Sequence, residues 1–205
     1  IVLTGAVTED SVETLAAGGV PGLGVLRLFN GTVYRWNRPC YGVLDGKPHL
    51  RIEARALPAG PTVIDEMANA AFHVGLLAAI PAEYGNFQHQ MEFDDARSNF
   101  FAAARYGLDA QLRWPGLGTV PVPELVLEHL APLARAGLKH LEVSAADVDR
   151  YMGTLEERVR RRRTGSSWTL ASLTRMAQER VPNERRNAAL VAATLAAQET
   201  DQPVH

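Results

Sequence analysis

The stretch His49-Leu-Arg-Ile-Glu-Ala-Arg-Ala-Leu57 alternates between polar and apolar side chains over its whole length. Its polar positions are His49, Arg51, Glu53 and Arg55. Successive side chains of a β-strand project to opposite faces, so this alternation predicts a strand with a charged row on one face. The other face, which carries Leu50 and Ile52, is expected to lie in the core.

The residues before this strand carry further strand signals. Val25–Phe29 is a short apolar run, and Asn30-Gly31 is a turn dipeptide. Thr32–Trp36 is rich in β-branched and aromatic residues, so the three segments predict a hairpin or a bulged strand. A second turn dipeptide, Asp45-Gly46, precedes the alternating stretch.

The rest of the chain carries helix signals. A helix is predicted from Pro61 to just before Pro81, with apolar residues at helical spacing: Val63, Met67, Ala70, Val74 and Leu77. A polar stripe on the same helix indicates a solvated or inter-helix face rather than a pocket: Asp65, Asn69 and His73. Five more helices are predicted near residues 94–106, 123–136, 145–163, 167–180 and 183–198. The predicted fold class is α+β, with a small antiparallel sheet in the strand-rich residues 1–60 packed by a helical majority in residues 61–205.

Composition excludes several classes of protein. The 205 residues are 46% hydrophobic and carry a net charge of −2, which is typical of a globular protein with a core. One cysteine, Cys40, excludes an internal disulfide and a Cys-rich zinc site. No apolar run approaches the roughly 18 to 20 residues of a membrane span, so a cytoplasmic location and no membrane partner are expected.

The basic region is not expected to bind nucleic acid. Residues 150–186 contain ten arginines and four glutamates, although the chain as a whole is slightly acidic. Glu156 and Glu157 precede Arg160–Arg163 at helical spacing, so ion pairs within the helix would neutralise part of this positive charge.

The charged row has the residue types of an anion or metal site. Charges two residues apart on one strand face are about 6 to 7 Å apart. Glu53 suits a hard metal ion, and arginine forks suit phosphate or carboxylate oxygens. Arg35 and Arg38 are expected beside the row, and several guanidinium groups around one carboxylate are costly without an anionic ligand. A solvated outer face of the sheet is the alternative explanation.

Four segments carry a family resemblance: Asn30-Gly-Thr…Arg-Trp-Asn-Arg-Pro39, His49–Arg55, Leu57-Pro-Ala-Gly-Pro-Thr62 and Ala68-Asn-Ala-Ala-Phe72. In order and spacing they resemble the carboxyl-terminal half of bacterial proteins of the glutamate–cysteine ligase type. Arg163–Trp168 resembles a further segment of these proteins. More remotely, Arg51-x-Glu-x-Arg55 and the helix after it are similar to glutamine synthetase. The resemblance implies that residues 1–205 are the carboxyl-terminal part of a glutamine synthetase-like catalytic fold.

The resemblance also implies ATP-dependent ligation of the kind that serves glutathione biosynthesis. Glutamate would be phosphorylated to an acyl phosphate, and an amine such as cysteine would displace the phosphate. Glu53 corresponds to a ligand of Mg²⁺ or Mn²⁺, and Arg55 to an arginine that contacts the acyl phosphate or the substrate carboxylate. Arg35 and Arg38 correspond to arginines near the transferred phosphate. Arg51 is assigned with Arg38 and Arg55 to substrate or phosphate binding.

A single carboxylate cannot complete a magnesium site, because Mg²⁺ takes oxygen ligands in near-octahedral geometry. In proteins of this family further carboxylates come from the preceding half. This chain begins at Ile1 rather than Met, so it is expected to be a piece of a longer protein that is inactive alone. Its expected partners are glutamate, the amine, the missing amino-terminal half and, through an exposed sheet edge, a second copy. The alternative is a noncatalytic regulatory or interaction module that kept the fold.

Overall fold

The computed structural model describes residues 9–31, 37–57 and 60–205. As predicted, the fold class is α+β, with 64% helix and two small antiparallel sheets within the described ranges. The chain divides into two compact units, Ile1–Pro58 and Ala59–His205. This division falls close to the change from strand-rich to helical sequence.

The first unit contains a β-hairpin preceded by two short helices. The helices are α1 (Ser11–Ala16) and α2 (Gly24–Gly31), and the strands are β1 (Asn37–Leu44) and β2 (Lys47–Ala54). The strands pair antiparallel across Asp45-Gly46. These two turn residues have positive φ angles of 50° and 72°, as in the tight turns whose twist matches that of the flanking strands. The alternating strand is confirmed, although it ends at Ala54.

The apolar run Val25–Phe29 lies in helix α2, so the prediction that it forms a strand is wrong. A short apolar run does not distinguish a strand from a helix by periodicity alone. Near the end of this helix the Asn30 side chain donates a hydrogen bond to the carbonyl of Pro39 in β1 at 3.1 Å. The second predicted strand, residues 32–36, lies outside the described residues.

The apolar face of β2 is exposed, contrary to prediction. Leu50 and Ile52 are 79% and 67% exposed. On the charged face the ring of His49 lies over Gly42, where an added Cβ would come within 2.5 Å of the imidazole. A two-stranded sheet offers no second layer of its own, so a face stays open unless another element covers it.

The second unit is mostly helical. Its helices are α3 (Val63–Tyr84), α4 (Phe93–Tyr106), α5 (Val122–Glu124), α6 (Ala131–His140), α7 (Ala145–Arg160), α8 (Gly165–Gln178) and α9 (Asn183–Glu199). A π-helical turn, Leu125–Leu130, joins α5 to α6. Strands β3 (Gln111–Trp114) and β4 (Gly118–Pro121) form a second hairpin, which was not predicted from the sequence.

The six predicted helical segments are all present, but α3 runs past Pro81 to Tyr84. A proline inside a helix removes one backbone hydrogen bond and crowds the preceding turn. Pro81 lies in the last turn, where this loss affects the fewest bonds. The helix ends at Gly85, whose φ of 59° is accessible to glycine.

Helix α3 packs against α6 and α7 around a core of small and aliphatic side chains: Ala68, Ala131, Ala134, Leu138, Met152 and Leu155. The backbones of α3 and α6 approach so closely that a Cβ on Gly137 would lie 1.9 Å from the carbonyl oxygen of Gly75. A Cβ on Gly75 would lie 2.3 Å from the carbonyl oxygen of Ala134. This crossing therefore requires glycine at both positions.

The close contact also decides which face of α3 is buried. The small residues Ala68, Gly75 and Ala79 face inward with Asp65. The larger residues of the apolar stripe are 41% to 62% exposed: Val63, Met67, Val74 and Leu77. By length and composition alone α3 could cross a membrane, and core helices of globular proteins meet the same criteria.

Candidate functional site

The charged row of β2 forms an ion cluster with β1. Arg38 and Glu53 are directly opposite in the strand register, so their side chains lie on the same face of the hairpin. Arg38 Nη2 pairs with Glu53 Oε2. Arg55 Nε donates to Glu53 Oε1 at 3.0 Å, and Arg55 Nη2 donates to Glu53 Oε2 at 3.3 Å. Both oxygens of the Glu53 carboxylate are thus bound to guanidinium groups.

The end of α2 helps to position Arg38. Its Nη1 donates to the carbonyl of Asn30 at 3.1 Å, while the Asn30 side chain bonds to Pro39. The Nε of Arg38 is buried and has no hydrogen-bond partner in the described part of the chain. This arginine is therefore held between a helix end and a strand, with one donor unused.

The cluster carries a net positive charge that solvent can reach. Two guanidinium groups face one carboxylate, and the Glu53 side chain is still 41% exposed. The hydrogen bond from Arg55, followed by the hydrogen bond and charge of Arg38, lowers the pKa of Glu53 below its ordinary value. Glu53 is therefore ionised at neutral pH and fixes the orientation of both arginines.

The remaining predicted site residues divide into two groups. Arg51 is exposed and, by strand alternation, lies on the same face as Glu53. Within the described ranges, no hydrogen bond or ion pair engages its guanidinium group. Arg35 lies in residues 32–36, outside the described residues. The structure thus brings Arg38, Glu53 and Arg55 together and places Arg51 beside them.

The described residues do not fit a metal site as they stand. They contain no group of three or more His, Cys, Asp or Glu side chains that could hold a metal ion. Glu53 already gives both of its oxygens to arginines, and positive neighbours repel a divalent cation. Glu53 as a magnesium ligand therefore stays a prediction that requires carboxylates from elsewhere.

The second unit contains a separate ion pair that is buried. Arg158 Nη2 donates to Asp65 Oδ1 at 2.7 Å, and Arg158 Nη1 donates to Asn69 Oδ1 at 2.5 Å. Thr62, which caps α3, donates from its hydroxyl to Asp65 Oδ2 at 2.8 Å. The pair links α3 to α7, so Asp65 and Asn69 form an inter-helix face, one of the two predicted roles for this stripe.

Arg158 was not predicted as a partner of Asp65, because the arginines of residues 150–186 were considered together as one basic region. The available signal was Asp65, since a carboxylate in the buried face of an apolar helix needs a cationic partner. The predicted ion pairs between the glutamates of α7 and the following arginines are confirmed. Arg160 and Arg161 pair with Glu156 and Glu157 within α7, at 3.2 and 2.6 Å.

A surface cavity of about 300 Å³ opens between the start of α4 and the β3–β4 hairpin. An ion pair of 3.3 Å between Arg113 Nε and Asp95 Oδ2 lines it beside Trp114. The Asn99 side chain of α4 donates a hydrogen bond to the carbonyl of Arg113 at 2.7 Å and accepts one from its N–H at 2.8 Å, so it ties α4 to the hairpin. Of its three charged side chains, Asp95 and Arg113 pair with each other, and Glu92 is the third.

Comparisons of the chain with protein-family models, with curated proteins and with solved structures find no match.

Proposed function

We propose that the chain is the carboxyl-terminal part of an ATP-dependent carboxylate–amine ligase similar to glutamate–cysteine ligase, with a glutamine synthetase-like fold. In this proposal the charged face of the β1–β2 hairpin binds the anionic oxygens of the reacting glutamate and phosphoryl groups. One observation carries it: Arg38 and Arg55 converge on the single carboxylate of Glu53, while Arg51 lies on the same face and pairs with none of the described residues. The four segments of family resemblance support it.

The chemistry needs such a face. In the first step an oxygen of the glutamate side-chain carboxylate attacks the terminal phosphorus of ATP, and ADP leaves. In the second step the amine attacks the acyl carbon, and inorganic phosphate leaves as the carbon–oxygen bond breaks. Both steps place negative charge on phosphoryl oxygens, and positioned guanidinium groups stabilise it.

Each residue of the cluster has a distinct part in this proposal. Arg51 supplies unpaired N–H donors to the anion, and Arg38 and Arg55 supply a fixed positive field. Glu53 is a positioning residue in the arrangement seen here, because its carboxylate holds both arginine forks. Arg35 stays assigned to the transferred phosphate by resemblance alone.

A noncatalytic binding module is the second candidate. It is favoured by the same carboxylate, because Glu53 is occupied by arginines and the described residues hold no group of metal ligands. A module of this kind would keep the hairpin as an anion-binding or docking surface and would not turn over ATP.

Isothermal titration separates the two candidates. Mg·ATP and glutamate are titrated into the 205-residue chain and into the full-length gene product that contains it. Binding by the longer protein, with glutamate-dependent release of ADP, supports a ligase whose site is completed by the preceding residues. Binding of glutamate without release of ADP supports the module, and no binding by either form contradicts both.

A substitution pair tests the site within the longer protein. Arg55→Ala is expected to lower glutamate-dependent ADP formation by about 100-fold or more, since it removes one of the two guanidinium charges that stabilise the developing negative charge. Arg97→Ala is the matched control, because Arg97 forms an exposed pair with Asp94 at 3.2 Å on α4. Near-normal turnover by Arg55→Ala, with an unchanged melting temperature, would contradict the assignment.

A further inference from the structure

The segment after α9 folds back onto the buried ion pair of the second unit. Helix α9 ends at Glu199, and Asp201, with a φ of 51°, reverses the chain. Asp201 pairs with Arg150 of α7, which anchors the start of the segment. The backbone N–H of Val204 then donates to Asp65 Oδ2 at 3.4 Å. Residues 202–205, here called the strap, therefore cover the carboxylate that pairs with Arg158.

The strap ends in a buried imidazole whose Nδ1 has no hydrogen-bond partner among the described residues. The side chain of His205 is only 4% exposed, and Val204 is 9% exposed. His205 Nδ1 lies 4.0 Å from Asp65 Oδ1, beyond hydrogen-bond distance, and finds no other partner within residues 9–31, 37–57 and 60–205. Asp65 already accepts from Arg158 and Thr62. The surroundings of His205 therefore favour a neutral imidazole over a second cation beside Asp65.

The charges around His205 do not compensate for its burial. Asp65 on α3 and Glu157 on α7 attract a protonated imidazole, whereas Arg158 and Arg161 on α7 repel it. Burial is the largest influence and lowers the pKa of His205 below its ordinary value of 6.5, and Arg158 lowers it further.

We propose that the strap is a pH-sensitive device: it covers the Asp65–Arg158 pair while His205 is neutral and leaves it when the imidazole is protonated. The inference is independent of the proposed ligase function. Because the pKa is lower in the docked state, the docking free energy is fully present above pH 6.5 and falls as the pH drops below that value. The ratio of undocked to docked strap then rises by about tenfold per pH unit until the docked imidazole itself titrates.

Hydrogen exchange of the Val204 amide in the 205-residue chain tests this device. After correction for the intrinsic exchange rate, its protection is expected to fall severalfold between pH 7.0 and 5.5, by about eightfold at most for an undocked pKa of 6.5. His205→Phe fills similar space and cannot be protonated, so its Val204 protection is expected to stay constant over this range. The control His140→Phe, at an exposed position at the end of α6, is expected to behave like the parent chain.

Two results would overturn the proposal. One is an equal loss of Val204 protection in the parent chain and in His205→Phe, because the sensitivity would then come from another group. The other is an NMR titration of the parent chain in which His205 shows a pKa at or above its ordinary value. The NMR measurement decides the question even if His205→Phe perturbs packing of the strap.

Discussion

Each of the two units contains a carboxylate paired with arginine, but the two carboxylates differ in their exposure to solvent. In the hairpin Glu53 is held by two arginines and remains 41% exposed, while in the helical unit Asp65 is held by Arg158 and its side chain is 2% exposed. An exposed ion pair contributes little to stability, because water solvates both charges well. A buried pair cannot lose one partner without leaving a charge in a medium of low dielectric constant. Exposure therefore separates the cluster that we propose binds a ligand from the one that holds helices together.

Removing Arg158 should have the largest effect on stability. Arg158→Met leaves Asp65 charged, buried and unpaired, and is expected to lower the free energy of unfolding by about 3 to 5 kcal/mol. Arg160→Met is the matched control, because Arg160 is 55% exposed and pairs with Glu156 on the same helix. Its expected effect is about 0 to 1 kcal/mol. Urea unfolding followed by circular dichroism at 222 nm measures both.

A double substitution sharpens the same contrast. Adding Asp65→Asn to Arg158→Met removes the unpaired charge and should recover part of the lost stability. If Arg158→Met cost no more than Arg160→Met, Arg158 would not be desolvated as the structure places it, and the distinction between the two clusters would fail.

Replacing one glycine by alanine in each unit tests how tightly the two units are packed. Gly137→Ala puts a Cβ 1.9 Å from the carbonyl oxygen of Gly75, where only a shift of a helix backbone can relieve the clash. We expect a loss of about 1 to 3 kcal/mol or more, as for other overpacked cores. Gly42→Ala meets the imidazole of His49 at 2.5 Å, but that side chain can rotate away. Thermal unfolding should therefore show a clearly lower melting temperature for Gly137→Ala only, and equal effects would contradict the close crossing of α3 and α6.

The sequence predicted the elements better than their environments. The helices near residues 94–106 and 183–198 were correct within a residue or two, and the Asp45-Gly46 turn marked the β1–β2 hairpin. The burial of α3 was not predictable from its apolar stripe. Close approach to α6 selected the small residues Ala68 and Gly75 for the interior, and the backbone contact that selects them comes from more than 50 residues away along the chain.

The candidate site shows the same limit. Alternation placed Arg51, Glu53 and Arg55 near one another, because a strand has a fixed period of two. Which arginine engages Glu53 depended on strand register, which sets Arg38 opposite it. The strap over Asp65 carried no local signal, since residues 201–205 have no periodicity and the contacts that hold them over Asp65 are with distant residues of α3 and α7.

The smallest expected effect is a change in the titration of Glu53. Arg55, followed by Arg38, lowers its pKa below the ordinary value of 4.5, so the contribution of the cluster to stability is present above pH 4.5 and is lost as the pH falls through the lowered value. In a ¹³C NMR titration, Arg55→Gln should move the Glu53 pKa back toward 4.5. Arg51→Gln should leave it nearly unchanged, because Arg51 makes no described contact with the carboxylate. If the pKa of Glu53 is unchanged in Arg55→Gln, then Arg55 does not hold the carboxylate, which is free for another ligand. It would then be available to a metal ion, whereas a pKa that follows Arg55 supports a carboxylate that positions arginines for an anion.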